Sequence, residues 1–180
     1  MKGFATRSKP LLAIAVSALI LGGCASPADR AAMTPQNLTI SKHHPYSLGV
    51  QTSGGAETGA MDSSNIANAD LKAAIEAAVT QSKLFKTVVQ GSTGDYELSV
   101  RLTSLSKPLF GGTFTVDMET AWSLTKISDR SVALRKSVKS SGTATMSDAF
   151  AGVTRLRMAV EAATRNNIEQ GIKAIAELNL

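Results

Sequence analysis

The chain has 180 residues and a formal net charge of +5, but three of its basic residues, Lys2, Arg7 and Lys9, crowd the first ten positions. Beyond residue 23 the balance is 16 basic against 14 acidic residues, a net of +2, which removes the electrostatic footprint that nucleic-acid binding needs. One cysteine, Cys24, excludes internal disulfides and thiolate metal clusters, and His43 and His44 are the only imidazoles.

Lys2, Arg7 and Lys9 form a positive start, Leu11 to Leu21 an apolar run, and Gly22-Gly23 a small pair ahead of Cys24. As a helix the run covers less than about 20 Å, against about 30 Å of hydrocarbon, so it reads as a cleaved export segment and not as an anchor. The four residues Leu21-Gly22-Gly23-Cys24 resemble the lipobox of bacterial lipoproteins. The resemblance implies cleavage before Cys24 and acylation of that cysteine with palmitate-type chains. Ala25, and not an aspartate, follows the cysteine, which by the same resemblance implies residence in the inner leaflet of the outer membrane, facing the periplasm. Residues 1–23 are then a signal peptide, 24–37 the lipidated cysteine with a flexible tether, and 38–180 a single domain. The tether's composition lacks periodicity, and its thirteen residues from Ala25 reach at most about 45 Å.

Leu38 to Ser41 predicts a first strand, and Tyr46 to Val50 resumes alternation after Pro45. His43 and His44 fall between, and adjacent strand residues point to opposite faces, so the two rings are unsuited to share a metal or a substrate. Residues 53–59 are a Gly-rich loop without the Lys-Ser/Thr of a phosphate loop. Asn65 or Asn68 opens a helix whose apolar positions Leu71, Ala74, Ile75, Ala78 and Val79 share a face and which ends near Ser82. Val88-Val89 adds a short strand before the Gly91 to Gly94 turn.

The clearest β signal follows, with Tyr96, Leu98, Val100 and Leu102 alternating with polar residues. Beyond a turn at Pro108 to Gly112, Phe114, Val116, Met118, Trp122 and Leu124 do the same, and a third strand runs from Val132 toward Thr145. A last helix is predicted from about Asp148 to Leu178, opened by Thr145 or Ser147. Its inward face would hold Val153, Leu156, Val160, Ala163, Ile168, Gly171 and Ile175. Its outward face would hold a solvated ladder of alternating sign, Arg157, Glu161, Arg165, Glu169, Lys173 and Glu177. Trp122 is the side chain expected to fill the space above Gly171, and Asn167, projecting inward, needs a backbone group or an acid such as Asp95 or Asp117 as partner.

The expected fold class is therefore α+β, a two-layer, mainly antiparallel sheet with helices packed on one face. This order behind a lipobox resembles small outer-membrane lipoproteins of the YajG type and, more loosely, LPS-assembly lipoproteins of the LptE type. The resemblance implies a non-enzymatic accessory protein of an envelope assembly, with an envelope protein as partner. No cofactor or metal is expected. Asp117 and Glu119 share a strand face about 7 Å apart, but on an open, wet surface unsuited to paired acid catalysis. Two surface features carry recognition hypotheses. Leu109 and Phe110, at the tip of the central hairpin, are a candidate partner contact or, alternatively, fold back to cover the end of the core. Lys126, Arg130, Arg135, Lys136 and Lys139 are a candidate patch for anionic ligands, LPS phosphates or phospholipid headgroups, or alternatively the charges that protect a sheet edge.

Overall fold

The computed structural model describes residues 26–59 and 62–180, so the leader and the lipobox with Cys24 lie outside the described residues. In chain order the elements are α1 (Arg30–Met33), β1 (His44–Ser53), α2 (Asn68–Ser82), β2 (Phe85–Val89), β3 (Tyr96–Ser106), β4 (Phe114–Lys126), β5 (Val132–Ala144) and α3 (Gly152–Ala176). The strands form one sheet in the order β2-β1-β3-β4-β5. The alternation of β3 and β4 puts Leu98, Val100, Val116, Trp122 and Leu124 on a fully buried face, joined by Thr120. Helix α2 lies over β1 and β2, and α3 covers β4 and β5. The opposite face of the sheet stays wet, with Ser99, Arg101, Thr115, Asp117 and Thr143 exposed. The result is the expected two-layer α+β arrangement.

The antiparallel expectation holds for β3, β4 and β5, while β1 pairs in parallel with both β2 and β3. Parallel neighbours need a crossover, and α2 supplies the one between β1 and β2. The step from β2 to β3 is shorter. β2 pairs with the first half of β1, up to Gly49, and β3 with its second half from Leu48, so residues 90–95 pass over β1 at that point. A Cβ at Gly49 would overlap the Gly91 carbonyl oxygen, which is why a glycine stands there. Asp95 locks the crossing, accepting from the Ser47 backbone N–H and hydroxyl, each at 2.7 Å. Those two bonds hold its carboxyl below the usual aspartate range.

Four expectations need correction. Leu38 to Ser41 is not a strand, because pairing starts only at His44, opposite Phe85; Leu38 and Ile40 instead pack on the core from an irregular stretch. The last helix begins at Gly152, not Asp148. Asp148 turns back on the preceding residues, accepting from the Thr145 N–H at 2.7 Å and its hydroxyl at 2.8 Å, and so closes a separate turn. Val153, expected inward, stands exposed in the first helical turn, beyond the sheet's end.

The tether is the fourth. From Ala28 onward the stretch is packed: Ala28, Met33 and Thr34 are buried, with α1 wedged between α2 and α3. Asp29 caps α1 through the Ala32 N–H at 2.9 Å. The charge ladder of α3 does the docking and is therefore only partly solvated. Glu161, buried, accepts the Asp29 N–H at 2.9 Å with Arg157 at 3.6 Å, and Arg165 donates to the Ala32 carbonyl at 2.6 Å. Burial pushes the Glu161 carboxyl above the usual glutamate range, against the pull of the Asp29 amide and Arg157.

Candidate functional site

The polar side chains buried between β4, β5 and α3 are bonded to one another and to backbone. Trp122 Nε1–H donates to Thr120 Oγ1 at 2.8 Å and to Asn167 Oδ1 at 3.3 Å, and the Thr120 hydroxyl donates to Asn167 Oδ1 at 2.6 Å. Asn167 Nδ2 donates to the Val138 carbonyl at 3.0 Å and to Ser140 Oγ at 3.2 Å, and Ser140 donates to the Ala163 carbonyl at 2.8 Å. Asn167 thus finds backbone and hydroxyl partners rather than Asp95 or Asp117. A Cβ at Gly171 would run into the Trp122 ring, so the tryptophan does fill the space over that glycine. This network pins α3 to the sheet with every polar atom satisfied, which suits a structural role.

The histidines line a shallow groove of about 820 Å³ with Thr80, Lys83, Phe85 and Lys86. They are separately committed: exposed His43 has Nδ1 2.8 Å from the Lys83 carbonyl, and buried His44 has Nε2 3.1 Å from the Ile175 carbonyl and stacks obliquely on Phe85. Burial holds the His44 imidazole below its usual 6.5; the Ile175 carbonyl opposes this, and Lys42 and His43 add to it. The unfolded chain therefore takes up this proton at a higher pH than the folded one. Stability is complete above 6.5 and is lost as the pH falls through it. Thermal melts between about pH 7.5 and pH 5 are expected to show a fall of a few degrees that His44→Gln lessens. An unchanged slope in that variant would exclude His44 as the source.

The five cations do not converge. Arg135 and Lys139 stand opposite Ser123 and Glu119 on the wet face, about 13 Å apart along β5, whereas Lys136 stands opposite Trp122 and belongs to the other side. Lys139 lies 3.8 Å from Glu119. Lys126 ends β4, and Arg130 sits in the following turn with a positive φ of 61°. β5 is an edge strand, so this spacing fits charges that guard an edge better than a pocket for one phosphate. Asp117 and Glu119 accept from Ser141 at 2.8 Å and Ser137 at 2.7 Å on the same open face.

The hairpin tip is the distinctive surface. Leu109 and Phe110 are 93% and 86% exposed, so the tip does not fold back onto the core. A second loop joins it, which sequence periodicity had assigned to the start of α3. There Phe150 is 88% exposed, with Met146 and Val153 also open to solvent. Arg155, itself buried, holds the loops together: its guanidinium donates to the carbonyls of Ala149 (2.9 Å), Phe150 (2.7 Å) and Gly111 (3.1 Å) and lies 5.1 Å from the Phe114 ring centre. At the other root of the tip, Lys107 Nζ donates to the Ser64 carbonyl at 3.0 Å and to Asn65 Oδ1 at 2.6 Å. Burial pushes its ammonium below the usual lysine range, partly offset by Asp62. Arg155 and Lys107 were missed in the sequence because what each ties together, the Gly111 carbonyl for Arg155 and Ser64 and Asn65 for Lys107, is remote in the chain; Phe150 was missed because its spacing from Val153 mimics a helical face.

No protein-family model matches the sequence, and no curated protein is significantly similar to it. Solved structures are similar to it in part. A Xanthomonas campestris protein of family DUF330 superposes with a TM-score of 0.58 at 14% identity, over 78% of this chain and 88% of its own. A candidate lipoprotein from Caulobacter crescentus (TM-score 0.48, 15% identity, 71% of this chain and 87% of its own) is similar more distantly. So is a minor lipoprotein from Acinetobacter baumannii (0.46, 9%, 73% and 92%). The first of these shares the fold with this chain, whose α+β architecture is an open five-stranded sheet with its helices on one face.

Proposed function

We propose that the protein is a lipid-anchored lipoprotein of the bacterial envelope, held by Cys24 to the periplasmic face of the outer membrane, where it serves a larger assembly as a non-enzymatic accessory. The observation that carries this is Leu21-Gly22-Gly23-Cys24 behind a positive start and a short apolar run. Among the described residues no helix is long and apolar enough to cross a membrane, and the reading asks for none. The accessory role is supported by how the polar groups are spent: both histidines bond carbonyls, Asp117 and Glu119 bond serines, and the buried network is closed on itself.

Cys24→Ser is expected to abolish incorporation of a palmitate analogue and to leave an unprocessed or soluble form whose domain still folds. Retention in the outer-membrane fraction after a high-salt wash would refute the anchor. Purification of the lipidated protein in mild detergent should bring an envelope protein with it. Stoichiometric glycolipid without protein would instead favour a headgroup-binding module.

A further inference from the structure

The N-terminal end of the described chain and the apolar tip share one end of the molecule. The Ser64 hydroxyl donates to the Ser26 carbonyl at 2.8 Å, and the Ala28 N–H donates to the Asn65 carbonyl at 3.3 Å. Lys107, at the root of the tip, grips the same two residues, Ser64 and Asn65. Ser26 is thus linked through Ser64 to the Lys107 side chain, which stands between the end of β3 and the tip carrying Leu109 and Phe110. Cys24 precedes Ser26 by two residues, a reach of at most about 7 Å. A bilayer holding acyl chains on Cys24 must therefore lie against this end of the fold and not at the end of a long leash.

What the two loop tips at this end present is lipid-like, although Glu57 and Asp62 stand exposed on the neighbouring loop. Residues 108–113 contain no charged side chain, and residues 145–153 contain one, Asp148, whose carboxylate is turned onto Thr145. Leu109, Phe110 and Phe150 are almost fully exposed, on two loops that one buried guanidinium holds together. The β4–β5 turn with Arg130 lies at the opposite end, about 40 Å away along β4.

We propose that this apolar end is seated in the bilayer surface, with Leu109, Phe110 and Phe150 entering the interfacial layer of the membrane that holds Cys24. This rests on the lipoprotein reading of Cys24 and adds an orientation to it. Acyl chains on one residue fix where the protein is held but leave its orientation open; apolar loop tips beside the anchor define which face looks away from the membrane. The occupant is lipid rather than a second protein because the anchor brings a bilayer to this surface whatever else the protein meets.

Cys24 is the only cysteine and its thiol carries the lipid in this reading, so an introduced cysteine is the sole labelling site. The mature lipidated protein, as Phe110→Cys, Phe150→Cys or Arg130→Cys, is labelled with an environment-sensitive fluorophore. It is then reconstituted into phosphatidylethanolamine–phosphatidylglycerol vesicles containing nitroxide lipid. Quenching at positions 110 and 150 is expected to exceed that at 130 several-fold and to survive high salt, since apolar insertion is not screened. Equally weak quenching at all three positions, in protein that floats with the vesicles and carries its lipid, overturns the proposal and leaves the lipoprotein reading intact. Protein that neither floats nor carries lipid overturns both. Cross-linking of Phe110→Cys copies in place of quenching would assign the surface to a second copy of the chain and also overturn it. In Phe150→Cys protein, adding Leu109→Asp and Phe110→Asp should reduce quenching several-fold while flotation persists. Undiminished quenching would remove the tip from the contact.

Discussion

Trp122→Ala is expected to lower the melting temperature by about 10 °C or more, the largest effect of any single truncation in the sheet. The indole is wholly buried between β4 and α3, lies directly over Gly171, and donates to Thr120 and Asn167. Large aromatic truncations in a core cost about 3–5 kcal/mol, a third or more of the stability of an ordinary domain. Here the loss would also leave Thr120 Oγ1 without its donor, while Asn167 Oδ1 keeps the Thr120 hydroxyl. Gly171 offers no side chain to relax into the cavity, so collapse of the site is limited. Thr125→Ala, on the wet side of the same strand, should change the melting temperature by a degree or two at most. Comparable losses from both variants would mean that the strand's two faces were assigned backwards.

Gly142→Ala is expected to be nearly as damaging, through excess rather than loss of volume. A Cβ at this position would overlap the Ala163 backbone nitrogen and the Ala159 carbonyl oxygen, so β5 and α3 meet there backbone to backbone. Backbone cannot rotate away as a side chain does, and the helix would have to lift from the strand. Lifting it strains the Ser140 to Ala163 bond at 2.8 Å and the Asn167 to Val138 bond at 3.0 Å. Overpacking of this kind costs about 1–3 kcal/mol or more, readable as a lower midpoint in urea with an unchanged slope. Gly112→Ala is the matched control, since its new methyl would meet only the flexible end of Met146 at 3.4 Å. If Gly142→Ala unfolds at the wild-type midpoint, the close seat of α3 on β5 is wrong.

Both variants probe the layer that was easiest to foresee. The candidate surface was only half legible. Leu109 and Phe110 stand out in the sequence as large apolar residues inside a Pro-Gly turn, and they are indeed at an exposed tip. Phe150 and Met146, which enlarge the same surface, were hidden by an apparent helical spacing that the Asp148 turn interrupts. The five basic residues had the reverse history. Adjacency in sequence made them look like a patch, yet strand geometry sends Lys136 to the other side from Arg135 and Lys139 and leaves Lys126 and Arg130 at the β4–β5 turn.

By itself the sequence determined the inner face of β3 and β4, the apolar face of α2 and its end at Ser82, the pairing of Trp122 with Gly171 and the α+β class, but not the start of α2, which neither Asn65 nor Asn68 caps. Each follows from a local period or from the volume of a single residue, and a local period survives whatever neighbour the element finds. Only the tertiary structure decided that β1 lies between β2 and β3 in parallel with both, because strand partnership is a matter of hydrogen bonds between distant residues that no periodicity encodes. It also decided that residues 28–34 are packed instead of trailing. That depends on Glu161 and Arg165, more than 130 positions away, offering a carboxylate and a guanidinium to backbone groups of a segment with no pattern of its own. The same long-range bonding brings Ser26, Ala28 and Lys107 to Ser64 and Asn65, and so places the apolar tip at the end of the fold where the chain comes from Cys24.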